Sequence, residues 1–129
     1  MATFRDLNVW EKSMSLVTEV YKLIRKLPKE ESYCLSDQMR RAAVSIPSNI
    51  AEGHARDSQN DFLRFLSIAQ GLRAELDTQL EICVNLGYFS REDILIAEDL
   101  SIQVRKMIIV MQKRIRELLQ QKTENKVPK

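Results

Sequence analysis

This chain is poor in the residues that interrupt structure and in those that carry chemistry. Among its 129 residues are three glycines, three prolines, two cysteines and one histidine. So little turn chemistry excludes a many-stranded β protein and favours long helices. With His54 as the sole histidine, a Ser-His-Asp triad would have to be built around it, and no elbow glycines flank Ser45, Ser48 or Ser58. Gly53, Gly71 and Gly87 stand alone, so no glycine loop cradles a phosphate. Glu52 and His54 are two apart and face different ways, unlike the Glu-x-x-His pairs of di-iron bundles. Cys34 and Cys83 lack metal spacing, and no secretory signal opens the sequence, so free thiols in a cytoplasmic protein are expected. No apolar run approaches the roughly 18 residues of a membrane span. Together these absences point to a protein that is no enzyme and takes no metal or cofactor.

What is present is helical periodicity over a length suited to one domain with its own core. A first helix is expected from Asp6, as N-cap, to Leu27, with Pro28 ending it. Leu7, Trp10, Met14, Val17, Tyr21 and Ile24 form its core stripe, and Leu16, Val20, Leu23 and Leu27 a second apolar stripe beside it. A second helix runs from Ser36, as N-cap, to Gly53 near its C-terminal stop. A third starts at Ser58 with Asp61 completing a capping box, and ends at Gly87. Its core is Phe62, Phe65, Leu66, Ala69, Leu72, Leu76, Leu80 and Cys83. A fourth starts at Ser90 with Asp93 three residues on. Its core positions are Ile94, Ala97, Leu100, Val104, Met107, Met111, Ile115 and Leu118. Short connections predict an all-α, antiparallel up-down-up-down four-helix bundle over residues 1–120, with a polar, frayed tail over 121–129.

The second helix carries Pro47 in its middle. Apolar and small residues keep helical phase across it, at Met39, Ala42, Ala43, Ile46, Ile50 and Gly53. A proline there removes one hydrogen bond and crowds the carbonyl of Ala43, at a cost of roughly 3 kcal/mol or more. Ser45, Ser48 and Asn49 surround it as candidates to rebind the freed backbone groups, so Ser45, Pro47, Ser48 and Asn49 are read as a structural kink.

Charge is unevenly placed. The net charge of +2 divides into +2 over residues 1–56, −5 over 57–98 and +5 over 99–129. On the fourth helix Lys106, Lys113 and Arg116 recur at i, i+7 and i+10, with Arg105 and Arg114 beside them. Arg40 and Arg41 precede the proline and Arg56 follows it. Two readings stay open: solvated faces and dipole-matched termini, or basic patches for a polyanion. Under the second, these eight residues are the candidate nucleic-acid contacts. With Trp10, Phe62 and Phe65 on core positions, binding would run through phosphates, with steep salt dependence. The second stripe of the first helix, and Ile108, Ile109, Val110 and Met111 around the fourth, likewise fit either a wide core face or subunit contacts.

The run Gln38-Met-Arg-Arg-Ala-Ala-Val-Ser-Ile-Pro-Ser-Asn-Ile-Ala-Glu-Gly53 resembles the signature of a small bacterial four-helix-bundle family encoded by intervening sequences in large-subunit ribosomal RNA genes. Phe4-Arg-Asp-Leu7, Val9-Trp10, Phe65-Leu66, Glu75-Leu76 and Leu86-Gly87-Tyr88 extend the match. The resemblance implies a homopentameric ring. Relatives include the accessory bundle proteins of diversity-generating retroelements, basic rings that engage a reverse transcriptase and its RNA. It therefore implies nucleic acid, RNA in particular, as a partner, or a protein-binding scaffold whose partner is a reverse transcriptase. The chain departs from the pattern at Cys34, where relatives usually carry glycine, at His54-Ala55-Arg56 in place of aromatic-Gly-Arg, and at Leu72 in place of a serine.

Overall fold

A computed structural model describes residues 3–126 as four α-helices: α1 (Asn8–Ile24), α2 (Leu35–Ala55), α3 (Gln59–Asn85) and α4 (Leu95–Lys126). Short 3₁₀ turns, Phe4–Asp6 and Lys29–Glu31, precede α1 and α2. Each helix packs on its neighbours in sequence and α1 closes the square against α4, while the diagonal pairs stay apart.

All four neighbouring pairs run antiparallel, as their contacts show. Tyr21 lies by Arg41 and Trp10 by Ala51 across α1 and α2. Cys83 Sγ donates to Met39 Sδ at 3.8 Å, while Gly53 meets Phe65 at the other end of α2 and α3. Gln112 Nε2 donates to Ser67 Oγ at 3.2 Å, and Arg73 Nη1 to Ser101 Oγ at 3.3 Å, across α3 and α4. Lys26 pairs with Asp93 at 3.8 Å at one pole of α1 and α4, and Leu7 lies near Met111 at the other. This is the expected up-down-up-down order. No helix among the described residues is long and apolar enough to cross a membrane.

The helix ends correct several expectations. Asp6 does not cap α1. Its carboxylate accepts from Thr3 N at 2.9 Å in the preceding 3₁₀ turn, and Leu7 takes the extended N-cap position. Nor does Ser36 cap α2: Leu35 and Ser36 are both buried inside the helix, and Cys34 precedes it without a side-chain cap. Ser58 does cap α3, its Oγ accepting from Asp61 N at 3.1 Å. Gly87, at φ +79°, closes α3 with a Schellman pair, Tyr88 N to Cys83 O and Gly87 N to Val84 O. Ser90 and Asp93 exchange caps, Ser90 N to Asp93 Oδ2 at 2.9 Å and Asp93 N to Ser90 Oγ at 3.1 Å, but these form a turn and α4 proper starts at Leu95. α4 continues to Lys126, into the stretch expected as tail; residues 127–129 lie outside the described residues.

The core mostly exchanges the two stripes of α1. Leu16, Val20 and Leu23 are buried, whereas Met14 is 41% exposed and Trp10, Val17 and Tyr21 are half-buried; Ile24 of the first stripe is buried as expected, and Leu27 of the second is half-buried. The stripes are adjacent on one wide apolar arc, and periodicity does not choose which half faces the bundle axis. On α4, Ile108 is buried and Leu118 is not.

α2 runs without interruption through Pro47, which is buried. Ser48 Oγ donates to Val44 O at 2.8 Å and Asn49 Nδ2 to Ser45 O at 2.7 Å. The polar groups thus bind the two carbonyls that follow Ala43, not the carbonyl left without its donor. Gly53 does not stop α2, which continues to Ala55. It is the point of closest approach to α3: a Cβ there would lie 2.6 Å from Phe65 Cβ and 3.1 Å from Phe62 Cδ1.

A polar seam joins α3 to α4. Arg73, 8% exposed, donates from Nε to Gln70 Oε1 at 2.7 Å and from Nη1 to Asp77 Oδ2 at 2.6 Å. Ser101 Oγ donates to Asp77 Oδ1 at 2.7 Å.

Two substitutions test this packing. Gly53→Ala is expected to cost about 1–3 kcal/mol, because the obstructing atom is a Cβ that no rotamer moves; urea unfolding measures it, and an unchanged midpoint would show α2 and α3 free to separate. Asp77→Ala is expected to cost about 2–3 kcal/mol, more than Arg73→Met, because it strands a buried guanidinium whereas the reverse leaves a part-solvated carboxylate.

Candidate nucleic-acid interface

From Arg105 to Arg116, α4 contains Arg105, Lys106, Lys113, Arg114 and Arg116 and no acidic residue. At 100° per residue, Lys106, Lys113 and Arg116 fall on the face that also carries Ile102 and Ile109, and Arg105 borders it toward α3. Ile102 and Ile109 are 43% and 50% exposed, so this face is outward and mixed, cationic with apolar interruptions. Lys106 and Lys113 are about 10.5 Å apart along the axis.

The ion pairs separate these cations from Arg41 and Arg56, though not from Arg40. Arg41 pairs with Asp37 at 3.3 Å and Arg56 with Glu52 at 3.1 Å. Among the described residues, Arg105, Lys106, Lys113, Arg114 and Arg116 form no ion pair. Arg105 shows why. It borders a cleft with Asp77, Glu81 and Glu98, yet Asp77 holds Arg73, and Glu81 and Glu98 hold Arg91. The Arg91 hydrogen bond keeps the Glu81 carboxyl below the usual carboxylate range.

The eight candidate residues do not converge on one surface. Arg105, Lys106, Lys113 and Arg116 share the α4 face. Arg114 turns toward α1 and meets Arg56 at the pole beside the α2–α3 turn, where both line a cleft with His54 and Lys122. Arg40 and Arg41 border a shallow groove with Tyr21, Val44 and Ser45 on α2, diagonally across from α4. The same α1–α2 face continues past Pro47 and Ser48, where Trp10, Met14, Val17 and Val44 line an apolar groove. Of the kink residues, Pro47 and Ser48 line this apolar groove, Ser45 borders the neighbouring one with Arg40 and Arg41, and Asn49 lines neither.

His54 and Lys122 escaped the sequence reading as site residues. Arg114 and Lys122 are eight apart on one helix, a visible spacing, but only the return of α4 to the α2–α3 turn brings them to Arg56. The Arg73–Asp77 pair is legible as an i,i+4 spacing; its Ser101 partner on α4 is not. Cys83 is buried, and desolvation pushes its thiol up to about 11, so it is protonated at neutral pH.

No curated protein matches this chain. A solved structure, a protein with unknown function from the S23 ribosomal protein family of Bacteroides thetaiotaomicron VPI-5482, is 27% identical. That likeness covers 81% of this chain and 98% of the other, with a TM-score of 0.75. The sequence profile of the 23S rRNA-intervening sequence proteins matches residues 5–110, which include the proline-bearing helix and the start of the basic α4 face. On that match and that shared bundle, the chain belongs to the 23S rRNA-intervening sequence protein family.

Proposed function

We propose that this protein is a non-enzymatic, oligomeric RNA-binding bundle of the cytoplasm. The observation that carries the reading is the acid-free half of α4, whose cations are unpaired among the described residues while carboxylates nearby are taken by Arg73 and Arg91. Unpaired cations at helical pitch favour phosphates over any ligand needing directional recognition. The family name, which refers to 23S ribosomal RNA genes, is consistent with an RNA partner.

The opposite face suits assembly. The α1–α2 groove exposes Met14 and Val44, each 41%, beside the half-buried Trp10 and Val17. A second copy covering this groove would multiply the α4 faces around a ring, with the pentamer of the family as the expected order. A second reading, a scaffold that recruits a protein such as a reverse transcriptase, is favoured by the exposed Ile109 and Val110 among the cations.

Binding to a labelled structured RNA separates the two. With four phosphate contacts, affinity should fall about 50- to 150-fold between about 50 and about 200 mM salt. Lys113→Glu/Arg116→Glu should weaken it and flatten the salt slope. No binding at low salt, or binding indifferent to salt, would remove the RNA reading and leave the scaffold. Light scattering tests assembly: Val44→Asp should shift an oligomer toward the 15.0 kDa chain mass. A wild-type chain already at that mass at micromolar concentration would sink the assembly.

A further inference from the structure

The cleft at the α2–α3 pole differs from the α4 face in shape and in lining. Its volume is about 460 Å³, within the range of small-ligand sites. Phe62, Met111 and Leu118 give it apolar walls, and Arg56, Arg114, Lys122 and His54 bring basic side chains from α2, α4 and the turn.

The cations are available. Arg114 and Lys122, with Leu118 between them, form one stripe about 12 Å long, and neither makes an ion pair among the described residues. Arg56 uses Nη2 on Glu52 and lies over the Phe65 ring at 5.2 Å, which holds the guanidinium plane in place and leaves further N–H donors of its fork free. The His54 ring packs edge-on to Phe62 at 5.7 Å. Asp57 is the one carboxylate in the lining, and no cation pairs with it among the described residues. The first turn of α3 borders the cleft at Ser58 and Gln59: Ser58 Oγ takes Asp61 N, while Gln59 sits where a helix leaves its N–H group unused.

We propose that this cleft binds a phosphomonoester, either a free nucleotide or the 5′ end of an RNA. A monoester approaches two negative charges at neutral pH and presents three oxygens, against one charge on each backbone phosphate. That suits cations gathered in a concavity, whereas a run of single charges suits the open α4 face. The apolar wall then receives the attached nucleoside. The cleft does not depend on the α4 reading, since a small ligand that spans no other surface tests it.

Calorimetry on the full chain compares adenosine 5′-monophosphate, adenosine and inorganic phosphate, then a 5′-phosphorylated and a 5′-hydroxyl RNA of one sequence. The monophosphate should bind about tenfold or more tighter than adenosine, and Arg56→Gln/Arg114→Gln should lose about that factor. Arg25→Gln, an equal change of charge per residue at the other pole, should leave it unchanged. Should the double variant fold poorly, Lys122→Gln, on an exposed side chain, carries the same expectation with a smaller loss. A matching preference for the 5′-phosphorylated RNA identifies an RNA end as the source, and a preference confined to the small ligands identifies a free ester; both support the cleft. Equal binding of monophosphate and adenosine, no binding of either, or an equal loss in Arg25→Gln would overturn it.

Discussion

The bundle depends on how closely α2 approaches α3 at Gly53. There is no room for a Cβ against Phe65, so the two helices meet backbone to side chain at one end and through Met39 and Cys83 at the other. That contact sets the direction in which the chain turns between Ala55 and Gln59. It seats Phe65 beneath Arg56 and places Arg56 at the pole where α4 later returns with Arg114 and Lys122. Pro47 lies within the same helix, buried, with its polar neighbours spent on the adjacent carbonyls. α2 is therefore a packing element, and its serines and asparagine are occupied with backbone.

The second organising feature is a division of labour among charges. α3 and its flanking turn satisfy their own ions: Arg73 with Asp77 and Ser101 across the seam, and Arg91 with Glu81 and Glu98 over the α3–α4 turn. Because those carboxylates are occupied, the acidic middle of the chain does not neutralise the basic end of α4. Segment charges of −5 and +5 suggest mutual cancellation, yet the pairing is largely internal to the acidic half. Surface charge of one sign is left over on α4, where it acts on whatever approaches from solvent.

Much of this was legible in the residues. The Ser58 cap, the Gly87 stop, the unpunctuated helices and the phase across Pro47 follow from local chemistry that acts within one turn of chain. The misplaced features were those in which two local solutions compete. Asp6 and Ser36 are good caps by type, but Leu7 and Leu35 set where the helices begin. On α1, both apolar stripes are equally regular, and only the positions of α2 and α4 decide that Leu16, Val20 and Leu23 go inside while Met14 stays out.

The sequence by itself determined the class of fold, the family, the poverty of catalytic groups and the list of available cations, because composition and periodicity act residue by residue. Tertiary structure alone decided how those cations are grouped. It separated Arg40 and Arg41 from α4 by the width of the bundle, since the helices that carry them are diagonal neighbours. It also gathered Arg56, Arg114, Lys122 and His54 around one cleft, since antiparallel packing returns the far end of α4 to the α2–α3 turn. Distance along the chain carries no information about either outcome; the order of helices around the square does.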